Sequence, residues 1–121
     1  MRVALGDDLE QCRAPIKREL ALYIGGMGAR GKNFYNDYAK RLGYEEAAVK
    51  IQDAFLGGQR AEAVAAVPDD LVDEVSLVGP KERIVERLAA WQAAAAERQV
   101  DTLLAAGASP EALRVLAEAV L

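Results

Sequence analysis

Val100-Asp101-Thr102-Leu103-Leu104-Ala105-Ala106-Gly107 is the stretch on which the fold turns. Val100 to Ala105 reads as a strand, Gly107 breaks it, and Ser109-Pro110-Glu111 caps a closing helix that bears Leu113, Leu116 and Val120. Upstream, Ile84, Leu88, Trp91 and Ala95 recur at helical spacing, with Glu82, Arg83, Glu86 and Arg87 on the other faces. A strand between two helices normally belongs to a parallel sheet covered by helices, and a strand cannot satisfy its backbone alone. Only two further stubs, Val3 to Leu5 and Val75 to Gly79, read as strand. Two explanations remain. The chain is the end of a larger α/β protein, or it is a helical domain whose strand pairs with a second copy.

The rest of the chain reads as helices and turns. Asp7 and Asp8 offer a cap for a helix through Leu9, Cys12, Ile16 and Leu20, which Pro15 should kink or restart. Tyr23 to Lys32 carries four glycines between positions 25 and 31, too many for a helix interior at about 1 kcal/mol each, and is expected to be a loop. Phe34, Tyr38 and Leu42 share a helical face that ends at Gly43. Further helices follow from Glu45 to Leu56, with Ala48, Ile51 and Phe55 on one face, and from Gln59 to Ala66. Pro68-Asp69-Asp70 opens another turn through Leu71, Val72 and Val75, and Pro80 suits the first position of the Ile84 helix.

Composition narrows the function. The 121 residues suffice for one domain. A net charge of −4 argues against nucleic acid and acidic membranes as partners. The longest uncharged run, the ten residues Leu20 to Ala29, is too short to span a bilayer. With no His and one Cys, the chain cannot build a His-based triad, a His-ligated metal site or an internal disulfide. The N-terminus turns acidic where a signal peptide would be apolar, which points to a reducing cytoplasm. Apolar residues make up 52%, but 24 residues are Ala, so the core should be thin.

One segment has the composition of a ligand loop. Gly25, Gly26, Met27 and Gly28, with Arg30 and Lys32, can place backbone N–H groups and two cations around a phosphate-bearing cofactor. It lacks the Gly-Lys-Ser/Thr ending of a P-loop. The competing account is a connector with solvated cations. Asn33, Tyr35 and Asn36 can add hydrogen bonds, though Asn33 serves equally as a helix cap. Trp91, on the Ile84 and Leu88 stripe, reads as core rather than a stacking platform for a ligand ring, and Cys12 as a small buried hydrophobe. Asp69, Asp70, Asp73 and Glu74 read as a solvated helix start rather than a metal site.

Leu22 to Ala29, Asn33-Phe34-Tyr35-Asn36, Leu77-Val78-Gly79-Pro80 and Val100 to Leu104 together resemble the C-terminal part of luciferase-like monooxygenases, in particular the actinobacterial group that uses the deazaflavin coenzyme F-420. Nearly the whole chain takes part in the resemblance. It implies part of an eight-stranded (β/α) TIM-type barrel, a fold of about 250 residues. The chain is then a single partial domain over 1–121. Val3 to Leu5 ends one barrel strand, 8–75 forms the helical insertion and outer helices, and 80–121 is the last helix–strand–helix unit, with Thr102 to Ala105 as the eighth strand. The sequence departs from the family where Ala93 to Asp101 replaces a short Ala-Gly-Val-Asp entry to that strand and lacks its Gly.

The resemblance implies an oxidoreductase that moves hydride to or from a small organic substrate with coenzyme F-420 or FMN. The chain alone is expected to be inactive and to bind neither cofactor tightly. Its expected partners are the missing N-terminal barrel half or a second copy, without nucleic acid, membrane or metal. The alternative is a small helical, self-associating interaction module without catalysis. The expected fold is mainly α with one to three short strands, Leu103 buried on the Ile84, Leu88 and Trp91 face or against a partner chain.

Overall fold

A computed structural model describes residues 1–121. The order is β1 (Arg2–Leu5), α1 (Leu9–Gly26), α2 (Phe34–Arg41), α3 (Glu45–Leu56), α4 (Arg60–Ala65), α5 (Asp69–Val75), β2 (Ser76–Gly79), α6 (Lys81–Ala96) and α7 (Pro110–Val120). The fold is mainly α, as expected, with one two-stranded parallel sheet. Two compact units make up the chain, one from Met1–Arg13 with Asp73–Leu121, the other from Ala14–Val72.

In the first unit β1 and β2 pair in the register Arg2 to Ser76, Val3 to Leu77, Ala4 to Val78 and Leu5 to Gly79. Parallel strands need a long crossover, and here the chain between them supplies five helices. Val3 and Leu77 join Ile84 and Leu88 of α6 and Ala112 and Val115 of α7 in one buried cluster, with Trp91 packed partly against it. Trp91 therefore packs with the core. Pro80 sits at the N-cap of α6, one position before the first helical residue. In α7, capped by the Ser109 hydroxyl, the inward face is Ala112 and Val115, whereas Leu113 and Val120 are about half exposed.

The expected strand over Thr102 to Ala105 does not form. One parallel bridge, Arg2 to Ala106, is all the pairing this segment makes. Its hydrogen bonds run from the Met1 amine to the Leu104 carbonyl at 2.8 Å, from Ala106 N–H to the Met1 carbonyl at 2.8 Å, and from Val3 N–H to the Ala106 carbonyl at 3.4 Å. Leu104 is 76% exposed, and Leu103, expected to be buried, is 38% exposed and lines an open cavity with Leu88 and Trp91. β1 is thus the middle of the arrangement, with β2 on one side and Ala106 on the other.

In the second unit Ile51, Ala48 and Ala63 are fully buried. Helix α2 turns the opposite way from its apolar spacing. Phe34, Tyr38 and Leu42 are exposed, and Asn36 and Ala39 face inward. The exposed rings cover one another: Phe34 and Tyr38 lie parallel with centroids 6.2 Å apart, and Tyr35 meets Phe34 and Tyr23 edge-on.

Candidate functional site

The glycine-rich segment is helix for part of its length. α1 runs as one element through Pro15 and on through Gly25 and Gly26, where the sequence predicts a loop. The reason is tertiary. A Cβ on Gly25 would lie 2.6 Å from Cβ of Phe55 and 3.0 Å from the Ile51 carbonyl, and one on Gly26 would lie 2.4 Å from Cε1 of Phe55. The two glycines let α1 close on α3, a gain that offsets their poor helix propensity.

The end of α1 is then held by asparagines. Asn33 Nδ2 donates to the Tyr23 and Ile24 carbonyls at 3.0 and 3.1 Å, while its Oδ1 accepts from Asn36 N–H at 3.0 Å and so caps α2. Asn36 Nδ2 donates to the Ile24 carbonyl at 3.1 Å and to the Ala48 carbonyl at 2.9 Å, tying in α3. Both side chains are buried. Carbonyls in the last turn of a helix lack helical partners, and these two amides supply them. Sequence reading finds the cap but not the second task, which depends on where α1 ends.

What remains open to solvent is short. Met27, Arg30, Gly31 and Lys32 are exposed, and Gly28 turns so closely that a Cβ there would lie 2.4 Å from the Lys32 carbonyl oxygen. Arg30 is engaged with Asp53, its Nη2 2.9 Å from Oδ1. The backbone amides of Gly25 and Gly26 lie inside α1, at the helix end whose partial charge favours cations. The segment therefore brings together Met27, Gly28, Arg30 and Lys32 as a surface turn, with Gly25 and Gly26 as packing positions behind it.

A charge cluster that the sequence hides lies in the first unit. Asp73, read there as part of a solvated face, accepts two hydrogen bonds from Arg13 at 3.1 and 2.7 Å and one from Arg83 Nη2 at 2.9 Å. Arg87 donates to the Asp73 backbone carbonyl at 2.9 Å. The Asp73 and Arg13 side chains are only 12% and 13% exposed. Arg13 is sixty positions away in sequence, so no local signal marks the pair. Asp69 pairs with Lys17 instead. No group of three or more His, Cys, Asp or Glu side chains is placed to hold a metal ion, Cys12 is a buried free thiol, and no helix is long and apolar enough to cross a membrane.

Two adjacent parallel strands, each leading into a helix, are what a piece of a (β/α) barrel would retain. Comparison with known proteins agrees, because the luciferase-like monooxygenase family matches residues 1–98. The chain belongs to that family. A Mycobacterium tuberculosis protein named as a coenzyme F-420-dependent oxidoreductase is 38% identical over 101 residues, which are 84% of this chain and 29% of that protein. The chain thus spans less than a third of the curated relative it matches. No solved structure matches it. The family's TIM-type fold accounts for the parallel pairing of β1 and β2.

Proposed function

We propose that this luciferase-like chain supplies the closing part of a barrel that transfers hydride between a deazaflavin or flavin and a small organic substrate, and that it is inactive alone. The family match over residues 1–98, with β1 and β2 side by side and parallel, is the observation that carries this reading. On it, residues 8–75 are the excursion between two neighbouring barrel strands, and the missing N-terminal barrel half, or a second copy, is the partner. A reducing cytoplasm suits the free Cys12.

The residues present do not make a cofactor site by themselves. No array of free amides faces outward at Gly25 and Gly26, and Arg30 is already paired. Bound in a complete barrel, the deazaflavin would carry the hydride. There, the exposed turn of Met27, Gly28, Arg30 and Lys32 would face the phosphate-bearing tail, and Gly25 and Gly26 would fix its position by closing α1 on Phe55.

Titration of the purified chain with coenzyme F-420, followed by the coenzyme's fluorescence, tests the proposal. The expected result is no saturable binding and no turnover. Tight binding with turnover by the chain unaided would overturn it.

A further inference from the structure

Helix α6 stops where its sequence gives no reason to stop. Ala93 to Ala96, Glu97 and Arg98 are among the best helix formers. Yet Arg98 turns to φ +58°, its N–H donating to the Ala95 carbonyl at 3.0 Å and the Gln99 N–H to the Ala94 carbonyl at 2.9 Å. These are the two hydrogen bonds of a Schellman turn. The same turn closes α2 and α3, there with Gly43 at φ +99° and Gly58 at φ +79°. Arg98 is the one residue other than glycine with a positive φ, a conformation its Cβ opposes.

The chain that leaves this turn is loosely held. Three backbone hydrogen bonds attach residues 104–106 to Met1 and Val3, and an apolar cavity of about 110 Å³ lies among Val3, Leu77, Leu88, Leu103 and Leu116. Firm attachment resumes only at α7. Ala112 and Val115 are buried on the sheet and α6, Lys81 pairs with Glu118 at 2.7 Å, and Gln92 donates to the Ala119 carbonyl. Every one of these contacts joins the residues after Gln99 to Met1, β1, β2 or α6 of the same chain. A second copy presents the identical surface.

We propose that residues 99–121 exchange between two copies of this chain, α6 continuing as helix through Arg98 and α7 of each copy seating on β1 and α6 of the other. The exchange removes the unfavourable turn twice per dimer and remakes the α7 contacts unchanged, which is why swapping is a low-cost route to a dimer. It requires nothing of the hydride reading.

Size and mass in solution, followed over concentration for three chains, test it. Arg98→Gly suits the turn and should weaken the dimer roughly tenfold or more, and Arg98→Ala, which favours the continued helix, should tighten it. A mixture of chains carrying either Arg2→Cys or Ala106→Cys, both with Cys12→Ala, should form a disulfide-linked heterodimer on refolding together, because those two positions are bridge partners. A chain that stays monomeric at every concentration overturns the proposal. So does a dimer that is indifferent to residue 98 and gives no mixed disulfide, as one formed through the exposed rings of Phe34 and Tyr38 would be.

Discussion

Helix ends in the Ala14–Val72 unit are marked by the residues that physics would choose, whereas in the other unit the corresponding end of α6 is not. Gly43 and Gly58 take the left-handed position after α2 and α3, and neither faces an atom within 4 Å, so their conformation alone selects glycine. Arg98 holds the same position after α6. The interiors differ in the same sense. Buried Asn33 and Asn36 satisfy the end of α1 within the helical unit, while the sheet unit ends in a segment with one bridge and an exposed Leu104. A helical excursion satisfies its own backbone locally. A two-stranded parallel sheet has edges that want further neighbours.

The comparison breaks first if the α1–α3 contact is not what holds the helical unit. Gly25→Val should cost about 3 kcal/mol, the upper part of the range for overpacking a tight contact, since the added carbons meet Phe55 and the Ile51 carbonyl. Urea unfolding measures it. A loss no larger than that of a surface substitution would mean the glycines are there for something other than packing.

Asp73→Ala asks the matching question of the sheet unit. It removes the carboxylate that Arg13 and Arg83 share, and because the Arg83 side chain is 28% exposed the cost should fall below that of a fully buried pair, at about 2 kcal/mol. A loss equal to or above that of Gly25→Val would show that the charge cluster, not the thin apolar core, carries this unit.

Smaller effects come from the helix stops. Gly43→Ala should destabilise by about 1 kcal/mol, all of it conformational, since the space around Gly43 is open. Arg98→Gly should stabilise the monomer by less than about 1 kcal/mol, because relief of the turn is offset by the freedom glycine gains on unfolding. If both changes destabilise, Arg98 is held by side-chain contacts rather than merely tolerated.

Legibility followed the same division. The sequence marks α3 from about Glu45 to Leu56, the cap at Ser109 and the stop at Gly43, and offers Asn33 as a cap, because each is a local choice of residue. Gly25 and Gly26 read as loop because the compensation comes from Phe55, thirty and twenty-nine positions on. The Phe34, Tyr38 and Leu42 spacing marks the helix but not which face turns inward, since two buried asparagines have better partners inside than the rings do. Val100 to Ala105 has strand composition, but a strand is a pairing, and its partner is not in the local sequence. The candidate turn was legible as a segment, from its glycines and cations. Its division into packing and exposed positions was not.

The smallest expected effect is the one that pH reveals. The Lys81 amine donates to Glu118 at 2.7 Å, and that hydrogen bond, followed by the carboxylate's charge, raises its pKa above the ordinary 10.5 against a small opposing effect of desolvation. A group whose pKa is raised on folding stabilises the fold fully below its unfolded value and loses that contribution as pH climbs through the folded one. The pair should therefore help fasten α7 to α6 at neutral pH and lose that contribution progressively as the pH climbs past 10.5. Both side chains are more than half exposed, so the effect should also fade with salt. Lys81→Met isolates it from the other groups that titrate in alkali. The urea midpoint of the wild type should lie slightly above that of the variant at neutral pH and low salt, and the gap should close above 10.5. A gap that persists in alkali would assign the contribution of Lys81 to the packing of its methylenes on α7 rather than to its charge.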